Sequence, residues 1–312
     1  MLIFPFYFYL LPSLVYFCLM KREWKLPKHT LTIGKRTLVM GIINLTPDSF
    51  SEGNRPDFSA GGRWFTRKRA WDHVETMIED GVDIIDVGGE STRPGANQIS
   101  EEEEIRRTEK YLNVMILLHN DVPYSIDTTK AAVARVALKA GVEIVNDISG
   151  LRFDPLIAET AAHYDAGLIL MHSRGTFETM HQQEPVKDII SEVARDWRRA
   201  IAEAEMRGVK RDKIVLDPGI GFSKTKEQNI ELIAKLDQLI ARFPDFPIVI
   251  GTSRKSFIGH ILSGAPVNKR VFGTMASIAA AALRGAHIVR VHDVKAAVET
   301  VRVVDAIKDA AR

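Results

Sequence analysis

One cysteine, Cys18, in 312 residues excludes an internal disulfide framework and any zinc cluster built on thiolates, and it suits a reducing cytosol. An excess of one charge sign is also missing: 42 Lys and Arg stand against 40 Asp and Glu, a formal +2. That balance excludes a protein whose main affinity comes from coating itself in nucleic-acid phosphates, so no nucleic-acid partner is expected. No linker rich in Pro, Gly or Ser divides the chain, and no low-complexity segment interrupts it. With 46% hydrophobic and 26% charged residues, a disordered or fibrous chain is ruled out and one large packed domain is expected.

A long apolar run occurs in one place. Residues 1–20, MLIFPFYFYLLPSLVYFCLM, carry no charge. A membrane anchor would set Lys21 and Arg22 on the cytoplasmic side, but Pro5 and Pro12 weaken the helix, and about 20 residues only just span a bilayer. A secretory signal would carry positive charge before the apolar run and a small-residue cleavage site after it, and neither stands there. The flanks favour a third reading, in which translation starts at Met20 and MKREWKLPKHTLTIG is a polar opening. Residues 1–20 are therefore set apart from a domain of 21–312, with a cytoplasmic location and no membrane partner expected.

From residue 30 onward short β-branched runs recur, bounded by Gly, Asp or Asn: 38–43, 82–87, 124–127, 142–147, 168–172, 214–217, 247–251 and 287–291. Most are separated by stretches of helical period, at 64–80, 101–119, 129–140, 187–207, 226–242 and 273–284. Gly81, Gly141, Gly208 and Gly285 stand where helix C-caps belong. Strand and helix in eightfold alternation predict an α/β (β/α)8 TIM barrel. A doubly wound open sheet is the runner-up, but no GxGxxG follows the first strand.

Catalytic groups of such barrels gather where the strands end. Those ends carry Asn44, Asp86, Asp127, Asn146, His172, Asp217, Ser253 with Lys255, and Arg290 with His292. Any one of these is an ordinary turn or capping residue; eight in succession form a candidate ring. It reads as electrically divided. Ser253, Lys255, Arg290 and His292, after the last two strands, suit a phosphate or diphosphate. Asp86, Asp127 and Asp217 face a group with hydrogen-bond donors, and Asp217 with Asn146 is the candidate reader of a heterocycle that presents an amino group beside a ring N–H. Three glycine-rich loops surround the ring, at 44–53, 88–96 and 217–225. The last is no Walker loop, because Ser223 precedes Lys224 where that motif needs Gly. His172 is read as a hydrogen-bonded barrel histidine rather than a metal ligand. Ser100 and Glu103 read as a capping box, and RWFTRKRAW as a helix start burying Trp64, Phe65 and Trp71.

Seven motifs, MGIINLTPDSFSEG (40–53), DVGGESTRPGA (86–96), SIDTTK (125–130), VNDISG (145–150), LDPGIGF (216–222), GTSRKSFIG (251–259) and RVHDV (290–294), resemble in order those of the dihydropteroate synthases. The resemblance runs from about residue 30 to the end. It implies a (β/α)8 barrel, usually a homodimer, that joins 4-aminobenzoate to 6-hydroxymethyl-7,8-dihydropterin diphosphate, with Mg2+ as cofactor and sulfonamides as inhibitors. Carried over by motif, Asp127, Asn146, Asp217 and Lys255 contact the pterin, Thr92, Arg290 and His292 the diphosphate, and Asn44 the Mg2+. Asp86 falls in the metal and diphosphate region and joins Asp127 and Lys255 as a catalytic candidate. Phe50, Pro94, Phe222 and Ser253 shape the aminobenzoate pocket. The sequence departs from the pattern in a longer, basic stretch after Phe50, in Ser173 and Arg174 where Met and Gln are common, and in Ser223 where Gly is usual. Two rivals are a pterin-binding methyltransferase barrel, which is not expected to carry STRPG and SRKSFIG together, and a non-catalytic copy, which should have lost Asn44, Thr92, Lys255, Arg290 or His292.

Overall fold

The computed structural model of the chain describes residues 22–46, 62–93 and 95–311, with residues 62–70 described by their backbone alone. The readings of residues 1–20, of the stretch after Phe50, of Phe50 and Pro94, and of the burial of Trp64 and Phe65 lie outside the described residues. Trp71 packs, partly buried, against the core.

All eight expected strands form: β3 (Leu38–Asn44), β4 (Ile84–Gly88), β5 (Tyr124–Asp127), β6 (Ile144–Asp147), β7 (Gly167–Met171), β8 (Ile214–Asp217), β9 (Val249–Ile250) and β10 (Ile288–Val291). They pair in parallel in the order β8-β7-β6-β5-β4-β3-β10-β9, and a parallel bridge from Leu216 to Ile248 brings the two ends together into a nearly closed barrel. Each of these eight strands is buried over nearly its whole length, which is why the runs read as continuous apolar stretches rather than alternating ones.

The two-residue period of a strand fixes what fills the interior. Ile84, Ile144, Val215 and Ile288 pack together low in the barrel with Leu38, Met40, Ile169 and Val249. Two residues further along the same faces stand Asp86, Asn146, Asp217 and Arg290. One face of each strand is therefore apolar below and polar at its C-terminal end.

Around the strands lie α1 (Gly62–Glu79), α2 (Glu101–Leu118), α3 (Ala131–Ala140), α4 (Leu156–His163), α5 (Ile189–Met206), α6 (Lys226–Ala234), α7 (Leu236–Arg242), α8 (Ser256–Ile261), α9 (Val271–Leu283) and α10 (Val294–Ala310). The single helix expected over 226–242 is two, broken at Lys235, and α4, α8 and α10 complete the alternation beyond the stretches named above. Gly81, Gly141, Gly208 and Gly285 all adopt positive φ, from 88 to 108°, as C-terminal caps require. Half of the capping box at α2 is present: Ser100 accepts the N–H of Glu103 at 3.3 Å. The Glu103 carboxylate pairs with Arg106 and Arg107 instead. No helix among the described residues is long and apolar enough to cross a membrane.

The polar opening is the main correction. Arg22–Lys25 (β1) and Thr30–Ile33 (β2) form an antiparallel hairpin that closes the N-terminal end of the barrel. Trp24, 1% exposed, lies in the lower interior cluster with Leu26 and Ile33, and its indole N–H donates to the Lys213 carbonyl at 3.1 Å. Gly167 opens β7 because any side chain there would collide with the indole: an added Cβ would lie 2.6 Å from Trp24 Cζ2. The turn is tied down as well, the Lys28 and His29 N–H groups donating to Glu143 at 2.7 and 3.0 Å.

Candidate active site

At the other end the strand termini converge. Arg290 reaches from β10 across β3 to two carboxylates, donating from Nε to Asp86 at 2.6 Å and from Nη2 to Asp127 at 2.6 Å. Asn146, on β6, donates from Nδ2 to the same Asp86 oxygen at 3.2 Å. Asp86 is fully buried, and its Oδ1 has no partner among the described residues. The ring is therefore not divided into acidic and basic halves as the sequence suggested, since its strongest cation already lies between two of its acids. Asn146, expected with Asp217 to read a heterocycle, also donates to Asp86.

Charge follows from this packing. Burial pushes Asp127 up to about 7; Arg290 pulls against that shift and Asp86 adds to it. Burial alone would lower Arg290, but the two carboxylates outweigh it and its pKa rises. Asp217 at the end of β8 is raised by burial, opposed by the Gly219 N–H, which donates to it at 2.6 Å, and by Lys255. Lys255 is lowered by burial and by Arg290 to about 8, while Asp217 and Asp127 hold it up. These mutual influences place Asp217, Asp127, Lys255 and Arg290 within one another's electrostatic range. Lys255 Nζ also lies 4.1 Å from the centre of the Phe222 ring, a cation–π contact.

His292 departs from expectation. Its Nδ1 shares a 3.0 Å hydrogen bond with Ser253 Oγ, which also accepts the His292 N–H at 3.1 Å. Burial, with Arg254 and Arg290 adding to it, lowers its pKa to about 3. His292 is thus neutral near pH 7 and offers a hydrogen bond rather than a cation. Asn44 ends β3 opposite Gly88. A Cβ at Gly88 would lie 3.7 Å from Asn44 Oδ1 and 3.6 Å from Asp127 Cβ, so the amide oxygen borders the acidic cluster. The Thr92 carbonyl bonds His181 Nε2 at 2.9 Å. Two glycines of the DPGIGF loop are dictated by close approach at positive φ: a Cβ at Gly219 would meet the His172 carbonyl at 2.0 Å, and one at Gly221 would meet Lys255 Cδ at 2.8 Å.

Several groups around the site were not anticipated. Lys130, the last residue of SIDTTK, bridges Glu90 at 2.9 Å and Glu104 at 2.6 Å, and Glu90 in turn accepts the Ile99 N–H at 2.7 Å. This buried cluster ties down both ends of the loop that carries Thr92. Lys224 is caged by the Gly219 and Phe222 carbonyls, both at 2.8 Å, and by His172 Nδ1 at 2.9 Å. Burial holds both Lys224 and His172 well below their usual pKa values. A Lys after a glycine loop and a His at a strand end were visible signals, but their meeting across 52 residues was not. No group of three or more His, Cys, Asp or Glu among the described residues could by itself hold a metal.

The chain is similar to known proteins over most of its length. The family described as Pterin binding enzyme matches residues 40–292. A curated dihydropteroate synthase from Synechocystis sp. is 46% identical over 274 residues, 88% of this chain and 91% of that protein. Among solved structures, the Yersinia pestis dihydropteroate synthase with a sulfonamide drug complex superposes with a TM-score of 0.83 at 36% identity, covering 92% of this chain and 100% of that one. The Xanthomonas albilineans dihydropteroate synthase with 4-aminobenzoic acid gives a TM-score of 0.79 at 36% identity, covering 89% and 95%.

Proposed function

The chain belongs to the pterin binding enzyme family, and we propose that it is a dihydropteroate synthase, a transferase of folate biosynthesis. It condenses 6-hydroxymethyl-7,8-dihydropterin diphosphate with 4-aminobenzoate to give 7,8-dihydropteroate and diphosphate. The observation that carries this reading is the Asp86–Arg290–Asp127 cluster beside Asn146, Asp217 and Lys255 at the C-terminal mouth of the barrel. It supplies carboxylate acceptors for a pterin's amino and ring N–H groups and cations for its leaving group, around one space.

In the reaction the bond from the pterin's methylene carbon to the diphosphate oxygen breaks, and its electron pair leaves with the diphosphate. The pterin ring delocalises the positive charge left behind, and the Asp127 carboxylate stabilises it. The arylamine nitrogen, neutral near pH 7, forms the new C–N bond, and the proton it then carries in excess passes to the departing diphosphate. It needs positioning more than a general base, and Phe222 and Ser253, with Phe50 and Pro94, are assigned that work. Asp217, Asn146 and Lys255 hold the pterin; Thr92, Arg290 and neutral His292 meet the diphosphate. Arg290 Nη1, which has no partner among the described residues, is the donor left for it once Nε and Nη2 are committed to the acids.

Mg2+ fits the residues present in one way. The neutral oxygen Asn44 Oδ1 borders the cluster, and an ion that takes its other ligands from substrate phosphate and water needs no protein cage. Bound there it would neutralise diphosphate charge. Residues 21–312 are assigned to one pterin-binding barrel, and a homodimer and a cytoplasmic location complete the proposal, the latter supported by the lone cysteine. The test is incubation of purified protein with Mg2+, pterin diphosphate and radiolabelled 4-aminobenzoate. Labelled dihydropteroate is expected; pterin binding without labelled product would establish the non-catalytic reading, and methyl transfer to a cobalamin protein the methyltransferase one.

A further inference from the structure

Two rim loops are fastened to each other by one hydroxyl. Ser223, in the loop after β8, has a φ of 56°, in the left-handed region that favours glycine. Its Oγ accepts the N–H of Arg174, in the loop after β7, at 2.9 Å, and its one proton is shared between the carbonyls of Met180 at 2.7 Å and Arg174 at 3.1 Å. The Arg174 side chain returns the contact, donating from Nη2 to the Ser223 carbonyl at 2.6 Å and to the Glu184 carbonyl at 2.9 Å. Ser223 is 2% exposed, so these bonds compete little with water. A glycine would accept the backbone geometry without strain but would leave Arg174 and Met180 without this partner.

The residue before the hydroxyl is Phe222. Its ring packs in a separate cluster with Ile148, Met171, Phe177 and Met180, so the Met180 held by Ser223 is also a wall of the Phe222 pocket. The ring stacks at a tilt on His181 at 5.3 Å, and His181 carries the connection on to the Thr92 carbonyl at 2.9 Å. Arg174, Ser223, Phe222, His181 and Thr92 thus join three rim loops in one chain of contacts. Asp127, Asn146 and Asp217 stand instead on strands, where the parallel ladder holds them whatever the loops do.

We infer that Ser223 and Arg174 are positioning residues for the aryl amine: their latch fixes Phe222 and so sets affinity for the flat nucleophilic ring, leaving the pterin-reading residues on the strands untouched. The inference rests on the synthase reading and assigns the latch to one of its two substrates.

Steady-state kinetics of wild type, Ser223→Ala, Ser223→Gly, Arg174→Ala and the Ser223→Ala/Arg174→Ala pair test it. Loosening the latch is expected to raise the KM for 4-aminobenzoate about fivefold in either alanine variant. The KM for pterin diphosphate should rise by less than that for 4-aminobenzoate, because Lys255 and Thr92 touch the Phe222–His181 contacts while Asp127, Asn146 and Asp217 stand on strands, and kcat should stay within about twofold. The double variant should be little worse than each single one, because both break the same latch. Ser223→Gly should match Ser223→Ala. The proposal is overturned if both KM values rise in proportion, if the single effects multiply, or if Ser223→Gly binds aminobenzoate like wild type, which would assign the effect to backbone strain. A wild type that makes no dihydropteroate would count against the synthase reading itself. The latch then has its own readout: amide exchange over residues 172–184 should quicken in Ser223→Ala, and unchanged exchange would overturn it.

Discussion

The two ends of the barrel are built from the same eight strands and obey opposite rules. At the N-terminal end Ile84, Ile144, Val215 and Ile288 meet the Trp24, Leu26 and Ile33 side chains of a hairpin, a close-packed apolar plug. Two residues up each strand, Asp86, Asn146, Asp217 and Arg290 are crowded into a space where burial raises Asp127 and Asp217 and lowers Lys255. At least one polar atom there, Asp86 Oδ1, has no partner among the described residues. Burial at the lower end converts directly into stability. At the upper end it creates groups that are costly until a ligand satisfies them, which is where catalytic differential binding originates.

The sharpest way to break this contrast is to remove the cation that joins both acids. Arg290→Ala leaves Asp86 and Asp127 facing each other without their counter-ion, so one takes up a proton and the diphosphate loses its donor. We expect kcat/KM to fall by about 10³-fold or more. A variant that keeps a tenth of wild-type kcat/KM in the synthase assay would show that the upper cluster is structural.

Trp24→Ala asks the complementary question of the plug. Truncating a fully buried indole that also donates to the Lys213 carbonyl should cost about 3–5 kcal/mol of unfolding free energy, read by urea titration. Below the melting transition kcat should stay within about twofold of wild type. A tenfold loss of kcat in folded protein would mean that the two ends are not independent.

How far these ends were legible differs for a physical reason. The strands could be read because parallel pairing buries both faces and leaves β-branched runs punctuated by Gly, Asp and Asn, and the two-residue period then carried Ile84 to Asp86 and Ile288 to Arg290. The hairpin could not: four-residue strands alternating Arg22, Glu23 and Lys25 with one tryptophan resemble a polar tail until Trp24 finds the barrel floor. Partners at the site were hidden for a related reason. Arg290 pairs with residues 163 and 204 positions away, and Arg174 meets Ser223 across 49, distances over which no local spacing reports. The state of His292 was hidden too, since its neutrality comes from enclosure rather than from its neighbours in the chain. Residue types at strand ends were visible in the sequence; their pairing and charge are products of the closed barrel.

The smallest effect is a pH window confined to the upper end. Asp127 is raised by burial to about 7, so the carboxylate proposed to face the pterin cation is lost as pH falls below that value. Lys255 is lowered by burial to about 8, so its ammonium is lost as pH rises above that value. Both groups work in their charged forms, and kcat/KM should therefore be bell-shaped with its maximum between these two values, falling about tenfold per pH unit on either side. The acid limb belongs to the Asp86–Asp127–Arg290 cluster as a unit rather than to one carboxyl. Lys255→Arg separates the limbs, because a guanidinium stays charged far above pH 8. In that variant the alkaline fall should disappear while the acid fall stays where it was. An alkaline limb that remains near pH 8 in Lys255→Arg would move the titration to another group and detach Lys255 from the charge balance that distinguishes this end of the barrel from the plug below it.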